Sequence, residues 1–335
     1  VMIGMLKVAV IGIGKMGQRH LEKWSQIGGC KIVGIVGRNP DKVTDLGLTY
    51  NAQPFTSLED LVNAVEVDVV DICLPTHLHF EFIKQAAEAK KQIICEKPLA
   101  LNAVEAKAII EICEKQNVQL FVGQTLRFSS EYAQAHQQVK RGAIGKPGVI
   151  RLSRGTAYPN GSDSWYTDAN KSGGILLDLG IHDFDWLIWT FGDVKKVFAK
   201  HIKKQVNSGR VLDYALVTLR MKDGAIAHVE LSWAKNALEA SFELAGDKGM
   251  IISNQDRSPI KVTLKDEFNE TGALVNNPIG ESPILQQLRH FKECITDGKT
   301  PLVTPEDALK AIEVAEAAIR SASTGQPVNL IERGA

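Results

Sequence analysis

In the first third of the chain, apolar residues come in short runs, divided by stretches that alternate polar and apolar at helical spacing. Residues 7–11, 31–36, 67–74, 92–95 and 118–122 are runs of strand length rich in valine and isoleucine, the pattern of parallel strands buried on both faces. Residues 18–27, 58–65, 79–89 and 103–116 place apolar side chains every three to four positions, which predicts amphipathic helices. Strand–helix alternation predicts a doubly wound parallel sheet. Sheets of that kind hold ligands at the C-terminal ends of their strands.

After Gly123 the rhythm changes. One helical stretch, 131–141, ends at Gly142 and is followed by the turn Gly145-Lys146-Pro147-Gly148. Residues 149–154, 194–201, 214–221, 225–233 and 241–245 then read as strands, with Asp223-Gly224 marking a hairpin. Residues 284–295 and 305–323 predict helices. The second of these opens on Thr304 as cap, Pro305 at the first position and two acids in the first turn. The expected fold is α/β, with a doubly wound parallel N-terminal domain over 1–123. An α+β domain with an open, mainly antiparallel sheet follows over 124–335.

Composition narrows the function. A chain of 335 residues suits two domains. Lysine plus arginine equals aspartate plus glutamate at 39 each, which supplies no basic excess for nucleic acid. No apolar stretch reaches membrane-spanning length, and the apolar run over 1–6 is too short for a signal peptide. Cys30, Cys73, Cys95, Cys113 and Cys294 are odd in number and widely spaced. They lack zinc-site or redox-pair spacing, so reduced core thiols in a cytoplasmic, metal-free protein are expected.

Gly12-Ile13-Gly14-Lys15-Met16-Gly17 matches G-x-G-x-x-G between a strand and a helix, the context that gives this pattern meaning. Gly12 permits the tight turn, Gly14 lets backbone approach a pyrophosphate, and Gly17 lets the helix lie close to the sheet. The helix N-terminus offers free N–H groups to phosphates. The reading is a Rossmann domain binding NAD(P)(H). The second strand ends at Gly37-Arg38 rather than at an acid. Gly37 presents no carboxylate to repel a 2′-phosphate, and Arg38 can pair with one or stack on adenine. This tilts the expectation modestly toward NADP(H). Asp41 reads as a charge at the start of the next helix.

Lys97 follows the fourth strand at the ligand edge, and Asp178 and His182 are four residues apart, which puts them on one face of a helix. Taken with the glycine loop, Leu74-Pro75-Thr76-His77-Leu78-His79, Glu96-Lys97-Pro98, Arg127-Phe128 and the segment from Gly173 through Asp185, these residues resemble the Gfo/Idh/MocA family. That family includes glucose–fructose oxidoreductase and inositol dehydrogenases. Thr76 stands where an asparagine is frequent in it, and Gly37 where an acid is frequent.

The resemblance implies a sugar or cyclitol dehydrogenase assembled as a homodimer or homotetramer through its sheet face. It implies Lys97, Asp178 and His182 as catalytic residues. His182 would take the hydroxyl proton. Lys97 would stabilise the alkoxide, and Asp178 would orient His182 or hold a neighbouring hydroxyl. Leu74, Pro75, Thr76, His79 and Glu96 would line the cofactor with the glycine loop. Arg127, Tyr158 and Trp165 are candidate substrate contacts. Asp183 and Asp185 read as structural, and His77 and His201 carry no role. Two other functions stay open: glycoside hydrolysis by transient oxidation with a retained NAD, and a non-catalytic dinucleotide and sugar sensor.

Overall fold

The computed structural model describes residues 5–159, 165–205, 211–254 and 281–330. Strands β1 (Leu6–Ile11), β2 (Cys30–Val36), β3 (Gln53–Phe55), β4 (Val69–Ile72), β5 (Gln92–Glu96) and β6 (Leu120–Gly123) form one sheet in the order β3-β2-β1-β4-β5-β6. Every pairing in it is parallel. The chain leaves β1 toward one edge and returns to the other side at β4, so a crevice opens beyond the C-terminal ends of these two strands. β4 and β6 are buried along their whole length, as their apolar runs require.

Helices α1 (Lys15–Trp24), α2 (Pro40–Tyr50), α3 (Leu58–Ala64), α4 (His79–Glu88) and α5 (Ala103–Gln116) connect these strands. α2 has a weak apolar period, with two threonines and a glycine inside it, and so had no predicted span. Its start is nonetheless specified: the Asn39 side chain accepts from Lys42 N–H, Pro40 leads, and Asp41 lies in the first turn. β4 is shorter than the predicted 67–74: Cys73 N–H still donates to the Ile11 carbonyl at 2.8 Å, and the chain bends at Leu74.

The second half contains α6 (Ser130–Lys140), β7 (Pro147–Gly155), α7 (Ala169–Ser172), α8 (Gly174–Asp178), α9 (Gly180–Phe191), β8 (Val194–Gln205), β9 (Val211–Met221), β10 (Ile226–Ser232), β11 (Glu239–Gly246), β12 (Met250–Asn254), α10 (Pro283–Asp297), α11 (Pro305–Thr324) and β13 (Val328–Asn329). Its sheet runs β12-β11-β7-β10-β9-β8-β13. β7 and β10 pair in parallel and the other described pairs are antiparallel. Gly224, at φ +96, makes the predicted hairpin between β9 and β10. Strand residues alternate between faces. Ala215, Val217 and Leu219 are buried on the helix side, while Leu212, Leu216 and Ile226 are exposed. Strands as short as β3 and β13 leave no period to read.

The last two helices tie the halves together. α11 begins with a full capping box between Thr304 and Asp307. It packs on β8 and α9 and also touches α5, while α10 lies against α1. Arg127, expected among the substrate contacts, belongs to this framework instead. It is 2% exposed. Its Nε and Nη2 bond Asp185 at 2.9 and 2.7 Å, and its Nη1 bonds Asp307 at 3.0 Å and the Leu302 carbonyl at 2.8 Å. Four of its five N–H groups are therefore occupied. Arg127→Met leaves Asp185 charged and unpaired in the core, and is expected to lower unfolding free energy by about 3–5 kcal/mol. Urea denaturation measures this; an unchanged midpoint would show that Arg127 is no cross-link.

Candidate active site

The glycine loop joins β1 to α1 at the crevice. Gly12 has φ +99, and a Cβ there would lie 2.6 Å from the Cys73 carbonyl oxygen. A Cβ on Gly17 would lie 1.7 Å from the Gly12 carbonyl oxygen, whereas one on Gly14 would meet nothing within 4 Å. Two glycines thus hold the turn closed, and the third leaves open space at a helix start. Gly14 caps α1 without a side-chain bond, so the first N–H groups of the helix, from Lys15 and Met16 onward, remain available to a phosphate. Ile13 reaches Gly37, where a Cβ would lie 2.7 Å from it and 2.8 Å from Val43. A carboxylate at position 37 would require both side chains to move. Arg38 is exposed just beyond.

Leu74, Pro75 and Thr76 follow β4 on the same edge. The Thr76 hydroxyl is buried and has no protein partner. His79 is fully buried, and its nitrogens face the carbonyls of Pro98 at 2.8 Å and Leu74 at 2.9 Å. It thus binds backbone, tying the loop after β4 to the loop after β5; burial lowers its pKa. The open space at Gly14, the uncapped helix start and the unpaired Thr76 hydroxyl fit a dinucleotide.

Lys97 follows β5, and its peptide with Pro98 is cis. Its ammonium donates to the Asp178 carbonyl at 2.9 Å and to Asp178 Oδ1 at 3.1 Å. The two side chains are 16% and 10% exposed. Asp178 therefore pairs with Lys97 and not with His182, the first of its two expected roles. The single helix face expected across these two residues is also interrupted: α8 ends at Asp178 and α9 starts at Gly180, with Leu179 between. A Cβ at Gly180 would lie 2.8 Å from Phe184 and 2.9 Å from Leu231, so the glycine allows this junction to sit tight against the sheet.

His182 is partly buried. Its Nδ1 is sealed and unpartnered, which leaves Nε2 as the nitrogen open to the pocket. Burial pushes its pKa well below 6.5, and the Lys97 and Arg154 cations push the same way. Arg154 bonds both oxygens of Asp183 at 2.7 and 3.0 Å, and the Tyr132 hydroxyl at 2.9 Å. Asp183 and Asp185 are thus the structural carboxylates of α9, as their positions suggested.

Tyr158 meets Trp233 edge-on at 6.1 Å. Trp165 stacks on Tyr166 at 3.8 Å and contacts His77 at 6.5 Å. Tyr166 had not been singled out. Its phenol is pushed up to about 12 by partial burial first and then by the Asp178 and Glu96 carboxylates. The Trp165-Tyr166 dipeptide was its only signal in the sequence.

The sequence reading also missed His20. Fully buried in α1, it lies 2.8 Å from Asp71 through Nδ1 and 3.0 Å from Glu96 through Nε2. Trp24 Nε1 donates to the same Asp71 oxygen at 2.7 Å. Burial works against the imidazolium, but Asp71 and Cys73 together favour it more, and the pKa rises well above 6.5. Cys73 joins His20 and Asp71 in a trio with ligand atoms within 4.8 Å. Both His20 nitrogens are already engaged, however, and burial first, then Asp71, pushes the thiol up to about 12. The trio is a hydrogen-bonded cluster without a free ligand direction. The described cysteines are free thiols, and no described helix is long and apolar enough to cross a membrane.

The two histidines titrate in opposite senses. Nitrogen-15 NMR is expected to show His20 protonated on both nitrogens at about pH 7, and His182 still neutral at about pH 6. By linkage, His20 stabilises the fold below its unfolded pKa near 6.5 and loses that contribution as pH rises through its elevated native value. His182 costs stability as pH falls from 6.5 toward its depressed native value. A neutral His20 ring at about pH 7 would contradict the assignment.

Residues 6–124 match the Gfo/Idh/MocA oxidoreductase family's model for its NAD-binding Rossmann fold, and residues 136–330 match the model for its C-terminal alpha/beta domain. Myo-inositol 2-dehydrogenase of Thermotoga maritima is 30% identical, aligned over 98% of this chain and 99% of its own. The scyllo-inositol 2-dehydrogenase (NAD(+)) of Bacillus subtilis is 31% identical over 97% and 96%. GenD2, from gentamicin A biosynthesis and solved with NAD, superposes with a TM-score of 0.86 at 25% identity, over 99% of this chain and 98% of that one.

Proposed function

This chain belongs to the Gfo/Idh/MocA oxidoreductase family, and we propose that it oxidises a ring secondary alcohol of a sugar or cyclitol, inositol-like in its presentation of hydroxyls. The observation that carries this reading is the Lys97–Asp178 pair just beyond the C-terminal end of β5, with His182 four residues after Asp178. The inositol dehydrogenases among its relatives support the substrate class. Residues 1–123 form the dinucleotide-binding domain in this proposal, and 124–335 the substrate-binding and oligomerisation domain.

The bound dinucleotide supplies hydride acceptance at its nicotinamide ring. The chain holds it through the loop from Gly12 to Gly17, and through Gly37, Arg38, Leu74, Pro75, Thr76 and Glu96. The absence of an acid at 37 and the cation at 38 favour NADP(H) modestly over NAD(H). His182, neutral near pH 7 because of its buried site, takes the hydroxyl proton at Nε2. Lys97 donates a hydrogen bond to the substrate oxygen as negative charge gathers there. Asp178 holds Lys97 in that direction. Tyr158, Trp165 and Tyr166 form an aromatic wall for the ring. Leu212, Leu216, Ile226 and Ile252 are exposed on the open sheet face, which supports assembly as a homodimer or homotetramer. A cytoplasmic location accords with five free thiols.

Nicotinamide absorbance, followed with a panel of inositols, hexoses, amino sugars and sugar acids, tests the reaction with each dinucleotide separately. Reduction by one polyol class is expected. Lys97→Met is expected to keep dinucleotide affinity while kcat falls by about a hundredfold or more. Undiminished turnover in that variant would remove Lys97 from the chemistry. Release of sugar from an aryl glycoside without net nicotinamide reduction would replace the dehydrogenase with the hydrolase reading.

A further inference from the structure

The buried cluster around His20 ends at the catalytic loop. Glu96 is 5% exposed, and both its oxygens are engaged. Oε1 lies 3.0 Å from His20 Nε2, and Oε2 accepts the Lys97 backbone N–H at 3.3 Å. The other His20 nitrogen is held by Asp71, itself fixed by Trp24 Nε1. With carboxylate oxygens at both ring nitrogens, the ring donates in both contacts when both nitrogens carry protons. A continuous polar line thus runs Trp24–Asp71–His20–Glu96–Lys97, from the dinucleotide helix to the residue whose ammonium grips Asp178.

We infer that His20 is a positioning residue: by occupying Glu96 Oε1 it keeps Glu96 from capturing the Lys97 ammonium, which is thereby left to Asp178 and the substrate oxygen. Glu96 ends β5 directly before Lys97, and its Oε2 already accepts the Lys97 backbone N–H. Replacing the imidazolium by a neutral side chain frees Oε1 and removes one positive charge from the cluster. The titratable groups facing His20 are Asp71, Glu96 and Cys73; the Lys97 ammonium pairs with Asp178 and disfavours protonation of His182, and Glu96 accepts the Lys97 backbone N–H. This inference rests on the reading of Lys97 as the group that meets the substrate oxygen.

The test compares wild type, His20→Gln and Glu96→Gln in the full chain. Dinucleotide affinity, kcat and KM are measured. So is the pH dependence of Lys97 acylation by acetic anhydride, read on its peptide by mass spectrometry. For folded His20→Gln, dinucleotide affinity stays within about threefold while kcat falls by about tenfold or more. The Lys97 acylation midpoint moves to higher pH, because the pocket has lost a cation. Glu96→Gln moves the midpoint the other way and decides the matter if His20→Gln does not fold. Unchanged kcat and an unchanged midpoint in a folded variant overturn the inference. Acylation needs no substrate. A shifted midpoint in a protein that oxidises no polyol would keep the positioning effect and discard the dehydrogenase reading.

Discussion

One ammonium from the parallel-sheet half of the chain meets one carboxylate from the other half, and the proposed site lies where they meet. Lys97 stands at the end of β5 and Asp178 at the end of α8, 3.1 Å apart. Neither element places a reacting group alone. The sheet brings Lys97 beside the glycine loop, because parallel strands end on a common edge. The helical junction at Gly180 brings Asp178 and His182 to that edge. Partial burial keeps the pair from being screened as a surface ion pair would be, so its direction is fixed as well as its charge.

Other buried charges hold this meeting point in place. Asp183 and Asp185 follow His182 within one turn of α9, and each is gripped by an arginine from a different element, Arg154 from β7 and Arg127 from the 3-10 turn over Thr125–Phe128. Buried ion pairs add little net stability, but losing one partner is costly, so α9 has little freedom to rotate. The same arrangement sets the chemistry of His182. Burial first, then the Lys97 and Arg154 cations, disfavour its protonation, which keeps the ring neutral near pH 7. His20 shows the opposite outcome for the same residue type, because its neighbours are carboxylates.

Much of the architecture was legible in the sequence because it is written in local patterns. The valine-rich runs and the glycine loop placed the parallel sheet, and Asp223-Gly224 placed a hairpin. Thr304, Pro305 and Asp307 started the final helix where the pattern put it. Short strands such as β3, and helix α2 with its threonines and Gly47, carry too little periodicity to read. The site was less legible, because its hydrogen bonds join residues far apart in the chain. Spacing put Asp178 and His182 together, yet Asp178 pairs with Lys97, 81 positions away. Arg127 looked like a substrate ligand because a lone arginine carries no local sign of the carboxylates that will surround it. His20 sits three positions after Gly17 and passed as a helix residue; its partners come from β4 and β5.

The central claim is that hydride passes directly between a ring carbon and the nicotinamide at the Lys97–Asp178–His182 edge. The most direct measurement uses the polyol that supports nicotinamide reduction, carrying deuterium at the reacting carbon. The deuterium is then located in the products by NMR. The account predicts deuterium on C4 of the reduced nicotinamide ring, confined to one face. An oxidised product formed with the deuterium lost to water, or with none on the dinucleotide, would contradict it.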